Sequence, residues 1–193
     1  MKSTKAVLAL PLLVASLAAP AGGRAQATRY ELAPAESRIG FDASATMGRF
    51  GGRASRVSGW ADVADSLTLA GTRGEVHVDA ASFGTGIALR NRHLRDEMEV
   101  GRYPWIRFVL TNVTPSQGGG AMLQGRLTIK AETREVSIPA TVARADGAIT
   151  LDGRLPVKFT EYGMRPPSRM AGMTRVRDDL VLHFHAVFRR AGR

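Results

Sequence analysis

Short segments in which apolar and polar residues alternate recur along most of the chain, and this pattern restricts its fold more than any other feature. In residues 37–46, for example, Ile39, Phe41 and Ala43 alternate with small or polar residues. This is the period of a β-strand with one buried face. About eight such segments are present, around residues 37–46, 57–63, 73–79, 105–113, 123–129, 136–142, 149–159 and 180–188. Short, evenly spaced strands separated by glycine-rich breaks predict an all-β, antiparallel fold.

A sheet of about eight strands would leave two edges exposed unless it closed on itself. We therefore expect a lipocalin-like antiparallel β-barrel of about eight strands. Residues 88–99 depart from the strand pattern, because Leu94 and Met98 have the i, i+4 spacing of a helix. A short helix is marginal unless it packs on something, so this one is predicted to cover an opening of the barrel.

The faces predicted to point inward are apolar and uneven in size. Phe41, Phe108 and Phe184 share them with many alanines and glycines. A barrel of this size either fills with side chains or encloses a small ligand. The small residues favour an apolar cavity, although a packed core remains an alternative for any single residue. The residues predicted to contact an apolar ligand are Phe41, Val76, Val78, Leu94, Met98, Ile106, Phe108, Leu110, Leu127, Ile129, Phe159, Met164, Leu182 and Phe184.

Residues 1–27 have the three parts of a secretory signal peptide. Lys2 and Lys5 precede an apolar run, and Ala25-Gln26-Ala27 is an A-x-A cleavage site. We expect cleavage before Thr28, a single domain over residues 28–193, and a periplasmic or secreted location. Cleavage would leave 24 Lys and Arg against 17 Asp and Glu, a formal net charge of +7. That charge favours anionic partners, including transient contact with an anionic membrane surface.

Motifs for catalysis, cofactors and nucleic acid are missing from the sequence. It has no cysteine, no Gly-x-Ser-x-Gly elbow and no glycine-rich phosphate loop before a helix. It also lacks a helix-turn-helix or RNA-binding motif. His183 and His185 share one strand face, which can hold a metal, but that face is predicted to point outward and a third ligand is not evident. We therefore predict no catalytic residue, cofactor, metal site or nucleic-acid partner.

A long loop, residues 161–177, is rich in Pro, Gly and Met. Met164, Met170 and Met173 are flexible side chains that suit a variable apolar ligand. The alternative, which the sequence leaves equally open, is that they pack on the rim of the barrel.

The segment around the predicted helix resembles the signature of a known family. It contains Thr85, Gly86, Arg90, Asn91, His93 and Leu94, followed by Tyr103, Pro104, Ile106 and Phe108. With the segments 37–41, 125–129 and 159–164, in order between Tyr30 and Phe188, it is similar to the YceI-like, polyisoprenoid-binding family. The chain departs from that pattern at Asn91, where an acid is usual, and at Ala131, where a glycine is usual.

The resemblance implies a carrier or sequestering protein for an isoprenoid or quinone-like lipid, without catalysis. Arg90, His93 and Arg95 are candidates for holding a polar or pyrophosphate head group, because the arginine fork matches phosphate oxygens. Arg90 and His93 could instead anchor the helix to carbonyls at the strand ends. Two other functions stay open: an enzyme acting on a prenyl-lipid head group near His93, and a structural or metal-binding stress protein.

Overall fold

The computed structural model describes residues 27–46, 48–64, 66–166, 168–169 and 174–192. The predicted signal peptide, apart from Ala27, lies outside these residues, as do Met170 and Met173. The elements in the described part are β1 Thr28–Leu32, β2 Arg38–Ala45, β3 Gly48–Ala54, β4 Val57–Val63, β5 Arg73–Asp79, β6 Phe83–Gly84, α1 Ala88–Glu97, β7 Trp105–Pro115, β8 Gly120–Ile129, β9 Glu132–Ala145, β10 Ala148–Lys158, β11 Ser168–Arg169 and β12 Thr174–Arg190.

The strands form a closed antiparallel barrel. Eight of them pair in the order β1, β4, β5, β7, β8, β9, β10 and β12. The ring closes where β12 returns to β1, with Leu32 opposite Phe188 and Tyr30 opposite Arg190. Closure leaves no open edge in this ring, so the two exposed edges that an open sheet would have are avoided. The predicted all-β barrel of about eight strands is confirmed.

The strand that completes the ring differs from the one that the alternation indicated. β12 is long enough to pair with β2 along its first part and with β1 at its end. The eight-strand ring closes through β1. β2 lies outside this ring, where it pairs with β3, and β3 pairs in turn with β6. β1 is only five residues long, and β3 (GRFGGRA) lacks an apolar alternation. Neither strand can therefore be predicted from apolar periodicity. Both are extended because their backbones pair with neighbouring strands.

Apolar side chains bury into two clusters, one at each end of the barrel. At one end, the loop between β4 and β5 inserts Leu69, which is among the most deeply buried side chains. At the other end, Met98, Tyr162 and Met164 pack together beneath α1. Val76, Val136 and Leu155 contact both clusters and remain only half-buried. The barrel is thus closed at both ends and incompletely filled in its middle.

Helix α1 spans Ala88–Glu97, close to the predicted residues 88–99. Leu94 packs against the cluster at this end of the barrel, and Met98, which caps the helix, is buried in it. The helix therefore covers the barrel end through its i, i+4 apolar pair, as expected. Within the described residues, no helix is long and apolar enough to cross a membrane.

Candidate functional site

The barrel encloses an apolar cavity of about 160 Å³. Its lining comes mainly from inward side chains of β4, β5, β7, β8, β10 and β12. Nine residues predicted to contact a ligand line it: Val76, Val78, Ile106, Phe108, Leu110, Leu127, Ile129, Leu182 and Phe184. Such a space favours hydrocarbon, because an apolar cavity offers water too few hydrogen-bond partners.

Two aromatic rings lie along the wall of the cavity because the opposite strand carries a glycine. Phe184 faces Gly153, where an added Cβ would come within 2.5 Å of the ring atom Cζ. Phe108 lies against Gly125 in the same way, at 2.6 Å. Any larger residue at either position would have to displace the ring. The two glycines therefore allow both rings to lie close against the wall.

A second concavity, of about 430 Å³, lies at the helix end between α1 and the β2–β3 hairpin. We call it the mouth groove. Four predicted ligand residues line it: Phe41, Leu94, Phe159 and Met164. Arg90 and His93 line it too, and the Arg90 guanidinium lies 4.6 Å above the ring of Phe50. Cationic and apolar side chains therefore meet in the mouth groove.

Two phenylalanines separate the mouth groove from the cavity. Phe41 lines the groove, Phe83 lines the cavity, and their ring centroids are 5.7 Å apart. Phe41 also lies against Gly52, where a Cβ would come within 2.5 Å of its Cε1. Both rings are buried. A chain that entered the cavity from the groove would have to displace this pair.

Two of the predicted site residues lie elsewhere. Met98 is buried below the helix and lines neither space. Arg95 does not line the mouth groove, and its Nε donates a hydrogen bond to the carbonyl oxygen of Ala81 at 3.1 Å. Arg95 therefore anchors the helix, the role that the sequence analysis considered for Arg90 and His93. Of these three, only Arg90 and His93 reach the groove.

Asn91 has a defined role in the loop before α1. Its Oδ1 accepts hydrogen bonds from the backbone N–H and the hydroxyl of Thr85, at 2.8 and 2.7 Å. An amide oxygen can accept both bonds, so the loop before α1 is held without a charge. The sequence analysis missed this pair, although both residues belong to the conspicuous segment.

Thr72 is a further residue that the sequence analysis missed. It is 5% exposed and lines the cavity. Its Oγ1 is the one buried side-chain nitrogen or oxygen among the described residues that lacks a hydrogen-bond partner. No sequence pattern marks it, because a threonine beside a strand usually faces solvent. Thr72 therefore places a buried, unpaired polar atom in the wall of the cavity.

Tyr162 is the titratable group whose environment departs most from water. It is 1% exposed beneath the helix end. Burial raises the pKa of its phenol to about 12, the nearby Glu161 carboxylate adds to the rise, and Arg134 opposes it. The phenol therefore stays neutral over the whole physiological range.

His183 and His185 lie on the outer wall, as predicted, in a surface groove of about 1170 Å³. His185 Nδ1 is 2.7 Å from Asp152 Oδ1, and Asp42 lies 3.8 Å from His183 and 3.0 Å from Arg154. The two imidazoles are thus engaged with different carboxylates. In the part of the chain that the structure describes, no three His, Cys, Asp or Glu side chains are grouped closely enough to hold a metal ion.

Comparisons with known proteins agree with this architecture. A family model described as a YceI-like domain matches residues 30–188. The crystal structure of BcnA from Burkholderia cenocepacia is 25% identical, covers 81% of this chain and 98% of its own, and has a TM-score of 0.73. A polyisoprenoid binding domain from Saccharophagus degradans is 16% identical, with coverages of 84% and 98% and a TM-score of 0.67. Among curated proteins, none matches the sequence.

The YCEI protein of Campylobacter jejuni has the same fold. It is 19% identical, with coverages of 74% and 85% and a TM-score of 0.61. At this level of identity, as for the Saccharophagus degradans domain, the similarity concerns the fold.

Proposed function

The chain belongs to the YceI-like domain family, and from that premise we propose that it binds an isoprenoid or quinone-like lipid chain inside its barrel. The observation that carries the proposal is the apolar cavity in which the rings of Phe108 and Phe184 lie along the wall over glycines. Each buried methylene contributes about 0.8 kcal/mol, so an apolar chain needs few polar contacts. The description of the Saccharophagus degradans neighbour as a polyisoprenoid binding domain supports the same ligand class.

The size of the cavity defines how such a chain would lie. At about 160 Å³ it resembles cavities of roughly 150 Å³ that hold one benzene. A long chain would therefore fill the cavity with one end and extend past Phe41 and Phe83 into the mouth groove. This arrangement requires the two rings to move apart on binding.

The polar end of the lipid would lie in the mouth groove. Arg90, His93 and Arg49 line it and provide cationic or hydrogen-bonding groups. A guanidinium binds phosphate oxygens through paired hydrogen bonds. We propose that Arg90 and His93 bind the head group and that Arg95 only anchors the helix.

The physiological role that we propose is transport, storage or sequestration after export, without a catalytic step. Support for export comes from Lys2, Lys5 and the A-x-A site at residues 25–27. Amino-terminal sequencing of the mature protein should begin at or within a few residues of Thr28. Recovery of intact Met1 would contradict export by this route.

Native mass spectrometry of protein purified from its own host, followed by lipid extraction, tests the binding function. We expect a bound lipid with a long apolar chain. Protein that is fully folded and free of lipid at every concentration of added prenyl alcohol would overturn the proposal. Turnover of a prenyl pyrophosphate that disappears in His93→Ala would instead establish an enzyme.

The head-group assignment has a matched pair of variants. Arg90→Glu should weaken binding of a prenyl phosphate far more than binding of the corresponding alcohol. Arg95→Glu reverses a charge on the same helix at a side chain that anchors the helix and does not line the groove, so any loss that it causes should be equal for the phosphate and the alcohol. Equal losses of the phosphate and the alcohol in Arg90→Glu would show that Arg90 only supports the helix.

A further inference from the structure

The start of α1 carries residues that do not favour a helix start. Ile87 occupies the N-cap without a side-chain cap, although Ser, Thr, Asp and Asn are preferred there. The first turn has no acidic residue and contains Arg90, where the helix dipole disfavours a cation. Residues that depart from local helix preferences in this way often belong to a functional surface. These residues are therefore better explained by contact with something outside the barrel.

The same residues place exposed apolar side chains beside cations. Ile87 is 49% exposed and Leu89 is 56% exposed, and both border the mouth groove. Arg49 on the β2–β3 hairpin and Arg90 border it with them, and Arg92 is exposed on the same helix. We call Arg49, Ile87, Leu89, Arg90 and Arg92 the basic rim. Four of these residues border the mouth groove, and Arg92 lies one helical turn (i, i+3) from Leu89 on the exposed surface of α1.

The charges of the basic rim are not neutralised within the protein. Among the described residues, Arg49, Arg90 and Arg92 form no salt bridge, and Arg90 lies over the ring of Phe50. The acids nearest in sequence come in the second half of the helix. There Glu97 accepts a hydrogen bond from the backbone N–H of Arg165, and Glu99 pairs with Lys130. Glu97 is the one acidic residue among the described residues that line the mouth groove, and the three arginines of the rim outnumber it, so the rim carries a net positive charge.

We propose that the basic rim docks the protein on an anionic lipid bilayer, so that the mouth groove faces the membrane. Arginines attract the anionic surface, and Ile87 and Leu89 insert at the level of the head groups, as in interfacial helices. The proposal rests on the proposed function, because it describes how a lipid chain would pass between bilayer and cavity without crossing water.

Co-sedimentation with vesicles tests this docking. We expect the purified full chain to bind vesicles of phosphatidylcholine with 30% phosphatidylglycerol, and to bind vesicles of pure phosphatidylcholine much more weakly. Each arginine near an anionic surface contributes about 1 kcal/mol, so Arg92→Gln should weaken binding about fivefold. High salt should weaken it as well. Binding to both vesicle types with equal strength would overturn the electrostatic part.

Two further variants test whether vesicle binding depends on the basic rim or on the overall positive charge of the protein surface. Arg126→Gln removes one exposed arginine from β8, outside the rim, and should leave binding nearly unchanged. Ile87→Ser removes the apolar contact while supplying a preferred N-cap, so the helix is retained and its loss cannot explain weaker binding. Equal effects of Arg92→Gln and Arg126→Gln, or no effect of Ile87→Ser, would overturn the proposal.

Lipid content distinguishes this proposal from the proposed function. Arg92 lines neither the cavity nor the mouth groove. Native mass spectrometry of Arg92→Gln should therefore show the same bound lipid as the unmodified protein. A protein that carries lipid but does not bind anionic vesicles would refute docking alone. A protein that binds these vesicles through the rim but never carries lipid would refute the carrier function and retain the docking surface.

Discussion

The ring of Phe184 lies so close to Gly153 on the neighbouring strand that a single added Cβ would come within 2.5 Å of its Cζ. The opposed glycine allows the ring to lie along the barrel wall. The absence of a Cβ at Gly153 therefore affects the size of the cavity in which we place the lipid.

Gly153→Ala should therefore shrink the cavity. The methyl group would displace the ring of Phe184 towards the axis, and overpacking of this kind typically costs about 1–3 kcal/mol. We expect the bound lipid to be shorter, or bound more weakly, and the loss of stability to be smaller when lipid is present. Native mass spectrometry and thermal unfolding of the same preparation measure both effects.

Gly101→Ala is the control, because a Cβ at Gly101 would meet no atom within 4 Å. It should leave lipid content and stability nearly unchanged. An unaltered lipid profile in Gly153→Ala would show that the ring does not limit the chain.

Removing the ring of Phe41 should open the passage between the mouth groove and the cavity. Phe41→Ala deletes the partner that packs on Phe83, so a fluorescent fatty probe should enter faster. The same change should lower the free energy of unfolding by about 3–5 kcal/mol, as for other buried phenylalanines. Stopped-flow fluorescence measures the rate of entry.

Phe50→Ala provides the comparison, because Phe50 lines the groove and packs edge-on against Phe41 but does not stack on Phe83. If both variants accelerate entry equally, the Phe41–Phe83 pair is not the barrier.

Thr72→Val should stabilise the lipid-free protein. The substitution keeps the shape of the side chain and removes a buried hydroxyl that has no partner. Leaving such a group unsatisfied costs about 1–3 kcal/mol, so the expected gain is of that order at most. Urea unfolding of delipidated protein measures it. A loss of stability would indicate that the hydroxyl is hydrogen-bonded, for example to a water molecule.

Tyr162 should make the protein lose stability at high pH. Its native pKa is raised to about 12 by burial, above the ordinary value of 10.0. Between these values the unfolded chain releases the phenol proton while the folded chain retains it, so ionisation favours unfolding. The contribution is complete below pH 10 and disappears as the pH approaches 12.

Tyr162→Phe cannot ionise and should not show this dependence. The difference in unfolding free energy between the two proteins should therefore change in favour of Tyr162→Phe as the pH rises from 9 to 11.5. A constant difference over that interval would mean that the phenol is not shielded from solvent.

The faces of the strands and the position of the helix could be predicted from the sequence. Strand alternation correctly placed Phe108, Leu127 and Leu182 towards the interior, where they line the cavity. The i, i+4 pair of Leu94 and Met98 correctly indicated the packed side of α1. These properties depend on the period of one element, which is local in sequence.

Which residues lie opposite one another could not be predicted in this way. Arg90 and Arg95 are indistinguishable in a list of charges, yet one lines the mouth groove and the other anchors the helix to Ala81. Phe41 shares its predicted face with Phe108 but lies in the groove, separated from the cavity by Phe83. The position of a residue on a helix defines the direction in which its side chain points. Only the elements packed around the helix determine what that side chain contacts.

By itself, the sequence determined the all-β class, the inward faces and the single helix, because apolar periodicity selects a face within each element. The tertiary structure alone decided that β12 closes on β1, that Phe184 lies over Gly153 and that Thr72, with its unpaired hydroxyl, lines the cavity. These features depend on strand register between segments far apart in the chain. Register follows from the packing of the whole barrel, and no single segment contains that information.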